Sequence, residues 1–249
     1  MASTPSFEEL PLEAVVRAAH YNHHHRSVQS GGLRAAVFGA SDGLVSSAAL
    51  ILGVAAADPT AGVVRLAGVA GLIAGAISMA AGEYVSMRAQ AELFERELDV
   101  ERRALRENPG LETLELRKIY ESRGLEPELA RELAEAMMSD PDMALDVHAR
   151  EELGIDPDEL GSPYGAAAAS FVSFAVGALL PLLPWLFGGG DAAIVATIAL
   201  GVVGAAALGG VVGWLSGRSI PFAAARQTII AVGAAVVTYA IGTLVGIGV

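Results

Sequence analysis

The sequence predicts an all-α membrane protein with five transmembrane helices and a soluble, acidic helical domain inserted between the second and third. Three observations predict it. Five apolar runs are long enough to cross a bilayer, which takes about 20 residues at ~1.5 Å each. The chain is 53% hydrophobic with a mean hydropathy of +0.49, above the usual soluble composition. Charge is segregated: residues 89–160 hold 21 of the 28 acidic and 9 of the 16 basic side chains, so the whole formal charge of −12 sits there.

Along the chain, residues 1–32 form a polar N-terminal segment. Its stretch MASTPSFEELPLEAVVRAAHYNHHHR lacks a signal peptide's cleavage pattern. Spans one and two fall within 33–88, with apolar runs at 35–57 and 62–82. The acidic domain occupies 89–160, and spans three to five lie within 161–249, with runs at 165–187, 191–215 and 222–248. From Glu83 to Asn108 there is no Gly or Pro, and good helix formers dominate. The second span is therefore expected to continue as one helix over 63–107, until Asn108-Pro109-Gly110 stops it. Shorter helices follow at 111–123, 127–138 and 141–153, closed by Gly124 and Gly154 or opened by Pro127. Glycines four apart (Gly71 and Gly75; Gly209, Gly213 and Gly217; Gly242 and Gly246) suit close packing of spans.

Basic residues set the orientation. Arg26 and Arg34 precede the first run, and Arg218 and Arg226 flank the fourth-to-fifth connection. The opposite connections carry only Arg65. The N-terminus, the acidic domain and the 216–226 loop are thus expected in the cytoplasm. Without a targeting signal, a bacterial-type inner membrane is the expected location.

Asp42 is the sharpest candidate residue. It lies about 10 Å into the first span, where a carboxylate costs several kcal/mol unless paired, hydrated or cation-bound. Arg34 or Arg88 is its alternative, purely structural partner. Met79, Glu83 and Met87 recur at i, i+4 and i+8 and share one helix face. A carboxylate between thioethers suits a borderline transition metal better than Mg²⁺ or Ca²⁺. In the acidic domain, Glu92 and Glu95, Glu112 and Glu115, and Glu101 between them are candidate ligands. Met137 and Met138 followed by Asp140 and Asp142 are further candidates. Against these stands the reading that acidic helices simply solvate a surface. His20, His23, His24 and His25 form a candidate capture site for Zn²⁺, Ni²⁺ or Cu²⁺.

Several chemistries are excluded. The chain has no cysteine, hence no thiolate metal site or iron–sulfur cluster. His148 has Leu145 where a Glu-x-x-His di-iron motif needs Glu. No nucleotide-binding motif or nucleophile elbow occurs, so ATP-driven pumping has no support and no enzyme is expected. No prosthetic group and no nucleic-acid partner are expected.

The stretches LRAAVFGASDGLVSSAALILGVAAA, AGLIAGAISMAAGEYVSMRAQ, ERRALRENP, ELRKIYESRGL and HAREELGI resemble the vacuolar iron transporter family from about residue 33 to the end. The resemblance implies a five-helix homodimer with a cytoplasmic helical metal-binding domain after the second span. It also implies export of Fe²⁺, and often Mn²⁺ or related ions such as Zn²⁺ and Co²⁺, in exchange for protons. Asp42, Met79 and Glu83 would line the path, and Glu101, Glu112, Glu115, Met137 and Met138 would bind metal in the insert. The chain departs from the family at Ala104, where a glutamate usually forms an ExxE pair with Glu101. A membrane-tethered metal buffer or sensor, without transport, is the competing expectation.

Overall fold

The computed structural model describes residues 31–57, 60–157 and 161–246, and every regular element among them is a helix. The histidine cluster at 20–25 lies outside the described residues. Five helices are long and apolar enough to cross a membrane: α1 Gly32–Ala55, α2 Ala61–Glu107, α6 Pro163–Phe187, α7 Gly190–Leu215 and α8 Ile220–Gly246. Between α2 and α6 stand α3 Pro109–Ser122, α4 Pro127–Met137 and α5 Pro141–Glu151.

α1 is the hub of the bundle and touches all four other spans. Small side chains allow this, since spans pack closely where backbones can approach. A Cβ on Gly43 would collide with the main-chain carbonyl of Phe174, and one on Gly177 with that of Ala40. The ring of Phe174, itself buried, lies against Gly75 and packs with Ala76 and Ala178. Of the other spaced glycines, Gly209 and Gly213 meet the start of α8, Gly242 meets Gly53 and Gly246 meets Ala57, whereas Gly217 faces open space at φ +64°. Helix α6 runs through Pro181 and Pro184 without a break. Trp185 Nε1 donates to Thr197 Oγ1 (3.0 Å), which donates to the Pro181 carbonyl (3.0 Å). These buried polar groups are thereby satisfied at a depth where water is scarce.

As the sequence predicts, α2 is a single helix, 47 residues long. At ~1.5 Å per residue it measures about 70 Å, more than twice the ~30 Å hydrocarbon core. Its last turns, beyond the length a single crossing needs, form the first wall of the insert. The proline-opened helices α3, α4 and α5 close that insert over a small core of Leu116, Tyr120, Ala130 and Ala134. Gly124 makes the turn between α3 and α4 at φ +96°, in the left-handed region that disfavours a side chain. An Arg123–Glu151 ion pair ties the end of α3 to the end of α5.

Candidate metal sites

Among the described residues two acidic sites are built against α2, an inner one whose carboxylate, Asp42, comes from α1 and an outer one to which α2 itself gives Glu101. The inner one is a cleft of about 410 Å³ between α1 and α2. Asp42, Ser46, Ser47, Ser78 and Met79 line it, with Gly71, Gly75, Leu50 and Phe174 as its apolar walls. Asp42 is half-buried and, among the described residues, has no basic partner. Ser46 and Ser78 are exposed, so the cleft opens on the flank of the bundle.

The stripe Met79, Glu83, Met87 divides into three environments. Met79 faces the cleft. Glu83, with a side chain only 10% exposed, accepts a hydrogen bond from Arg34 Nη2 at 2.7 Å. Met87 is buried with Ala35 and Ala166, where it locks the first turns of α1 and α6 onto α2. Arg34 thus pairs with Glu83, and Arg88 with Glu92 (2.8 Å) and Glu95 (3.9 Å); neither arginine neutralises Asp42.

The outer site lies in the insert. One ligand atom from each of Glu101, Glu112 and His148 lies within 4.8 Å of the others, and Glu112, Glu115 and Glu152 form a second such group. Glu112 belongs to both, so the five side chains make one cluster. Helix α2 supplies Glu101, α3 supplies Glu112 and Glu115 at i, i+3, and the end of α5 supplies His148 and Glu152 at i, i+4. His148 is fully buried; its Nδ1 faces the Ala144 carbonyl at 2.9 Å and its Nε2 the Glu112 carbonyl at 3.3 Å. A neutral imidazole can donate to only one of them.

The cluster is electrostatically unfinished. Glu101 is 6% exposed, and its Oε1 has no hydrogen-bond partner among the described residues. Burial first, then the neighbouring carboxylates of Glu152, Glu112 and Glu115, hold the Glu101 carboxyl above its ordinary value, against the pull of His148. Glu152 is raised in the same direction by burial, Glu115 and Glu112. Glu115 and Glu152 stand at the exposed rim of the cluster and Glu101 at its buried end; neighbouring like charges raise one another, and a buried polar atom without a partner is costly. A divalent cation answers both. Four carboxylates and an imidazole are also a donor set that fits a borderline first-row metal.

Of the insert candidates read from sequence, the structure brings together Glu101, Glu112 and Glu115. It places the others elsewhere: Glu92 and Glu95 against Arg88, Met137 and Met138 against the small core, and Asp140 at the N-cap of α5. There Asp140 Oδ1 accepts from the main-chain nitrogens of Asp142 (2.9 Å) and Met143 (3.4 Å). His148 and Glu152 are the members that sequence reading missed. The signal was present, since i, i+4 spacing puts a histidine and a glutamate on one helix face.

The sequence pattern of the VIT family matches residues 33–243. "Vacuolar iron transporter 1" of Oryza sativa subsp. japonica is 32% identical over 234 residues, covering 92% of each chain. "Vacuolar iron transporter homolog 1" of the same organism is 34% identical, over 86% of this chain and 74% of its own length. A "Vacuolar iron transporter" of Acanthamoeba castellanii is 36% identical over 154 residues, 62% of this chain and 55% of its own.

Proposed function

The chain belongs to the VIT family of multi-pass membrane proteins, and on that premise we propose that it exports Fe²⁺, with Mn²⁺ as a second cargo, from the cytosol in exchange for protons. The observation that carries the reading is the cleft around Asp42. A carboxylate with no basic partner among the described residues, beside three serines and a thioether inside otherwise apolar spans, is a cost without a return unless a cation passes there.

In this reading the insert lies in the cytosol, on the side of Arg34, Arg218 and Arg226, in the inner membrane of a bacterial-type cell. Its net charge draws divalent cations to the mouth of the path. Glu101, Glu112, Glu115, Glu152 and His148 hold the metal there, and α2 carries it on toward Glu83, Met79 and Asp42. A proton arriving from the far side competes for the same carboxylate lone pairs and releases the metal. A homodimer completes the path. The cleft opens on the flank of the bundle, where a lone chain would expose Asp42 to lipid. A second copy placed over it would cover the carboxylate and double the ligand count.

The test is Fe²⁺ uptake into proteoliposomes under an imposed pH gradient, unaltered protein beside Asp42→Ala. Uptake that requires both the gradient and Asp42 is expected, with at least a tenfold loss in the variant, equivalent to about 1.4 kcal/mol. Metal bound outside with none delivered inside would instead make the protein a tethered buffer or sensor.

A further inference from the structure

We propose that Arg34 is an intramolecular counter-cation that occupies Glu83 until the incoming metal takes its place, and so sets the affinity at the mouth of the path. The inference rests on the transport reading above and adds to it a residue that sets the substrate's apparent affinity.

Position comes first. The Asp42 cleft is lined from α2 by residues 71–79, and Glu101 of the insert cluster lies farther along the same helix. Glu83 stands between them. It is one turn, about 6 Å, from Met79 and five full turns, about 27 Å, from Glu101, so Glu83 and Glu101 share a face of α2. A cation leaving the insert for Asp42 meets Glu83 first.

Charge comes second. Glu83 is nine-tenths buried, yet its carboxylate is already neutralised by Arg34. A metal therefore cannot use Glu83 without displacing a guanidinium. The contact is built to be displaced. Arg34 is 65% exposed, and among the described residues the two side chains share one hydrogen bond, from Nη2 to Oε1. The two-bond fork that makes arginine–carboxylate pairs strong is not made. Arg34 also sits in the first turn of α1, which carries no acidic residue of its own and where the helix dipole disfavours a cation. The stem is long enough for the head to swing into water while Glu83 stays in place.

The experiment measures the concentration dependence of Fe²⁺ uptake into proteoliposomes for the full chain, R34Q, E83Q and R34Q/E83Q. R34Q should lower KM by about three- to tenfold, with kcat unchanged or reduced because release becomes slower. E83Q should raise KM, and the double variant should match E83Q, since Arg34 acts only through Glu83. An unchanged or raised KM in R34Q, or independent effects in the double variant, overturns the proposal. R34M keeps the apolar stem and gives the same reading should R34Q not assemble. If neither neutral variant assembles, the pair is a structural clamp and the proposal fails. Absence of uptake by the unaltered protein refutes the transport reading itself, whereas uptake with an unmoved KM refutes only the role of Arg34.

Discussion

His148 joins the two halves of the insert cluster. It is fully buried, carries the only ring nitrogens in the cluster, and faces Glu101 and Glu112 across it. Replacing it with glutamine keeps a polar side chain of similar reach but removes the imidazole donor. His148→Gln should weaken Mn²⁺ or Fe²⁺ binding to the full chain by at least about tenfold, the loss already typical of altering an outer partner of a metal ligand. Calorimetric titration of the detergent-solubilised protein measures it, and unchanged affinity would remove His148 from the ligand set. The same residue shows the limit of sequence reading. Glu101, Glu112 and Glu115 were legible from their spacing and from resemblance. His148 carries no motif signal of its own, because Leu145 breaks the one histidine motif its surroundings could match. Its i, i+4 partner Glu152 was hidden in a run of acidic residues, whose members differ only by the helix face they occupy.

Two helices organise the molecule, and both were legible as elements. The unbroken α2 follows from a stretch with neither Gly nor Pro, and its end from Asn108-Pro109-Gly110. Helix α1 was legible as a span, but its place at the centre of the bundle was not, because that depends on which neighbour each glycine meets. Gly43 against Phe174 is the tightest of these contacts beside Asp42. Gly43→Val would force α1 and α6 apart. It should cost about 1–3 kcal/mol, the usual range for overpacking. The change should appear as a lower thermal midpoint in detergent, together with reduced uptake, because Phe174 also walls the Asp42 cleft. A valine variant as stable as the unaltered chain would mean that the helices do not meet there.

At the scale of the whole molecule, charge couples the insert's stability to pH and to metal. Glu101 and Glu152 titrate above their ordinary value of 4.5 in the folded state. Between 4.5 and those raised values the folded chain binds more protons than the unfolded one, so metal-free stability falls as pH rises through that window. Glu128 works in the opposite sense below it. Its hydrogen bond and charge pairing with Arg131 hold it below 4.5, and that contribution is lost as pH falls further. The metal-free insert should therefore be most stable near the ordinary glutamate range. Mn²⁺ should raise the melting temperature more at about pH 7.5 than at about pH 5, because protons and metal compete for one set of lone pairs. Thermal melting followed by circular dichroism checks this, and a Mn²⁺ effect that grows on acidification would contradict it.

What the sequence determined by itself was local and periodic. Apolar length marks a candidate span, a run without Gly or Pro marks a long helix, Pro and Gly mark its ends, and segregated charge marks the short helices between the second and third candidate spans. Each follows from neighbours along the chain, where backbone geometry and solvation act directly. What only the tertiary structure decided was which side chains meet. Arg34 was paired with Glu83 and not Asp42, Met87 became core while Met79 faced the cleft, and Glu152 was selected from 21 acidic residues of the insert region. Those outcomes depend on the rotation of each helix about its axis and on the close backbone approach that its glycines permit. Both are set jointly by several helices packing together, and no single segment encodes them.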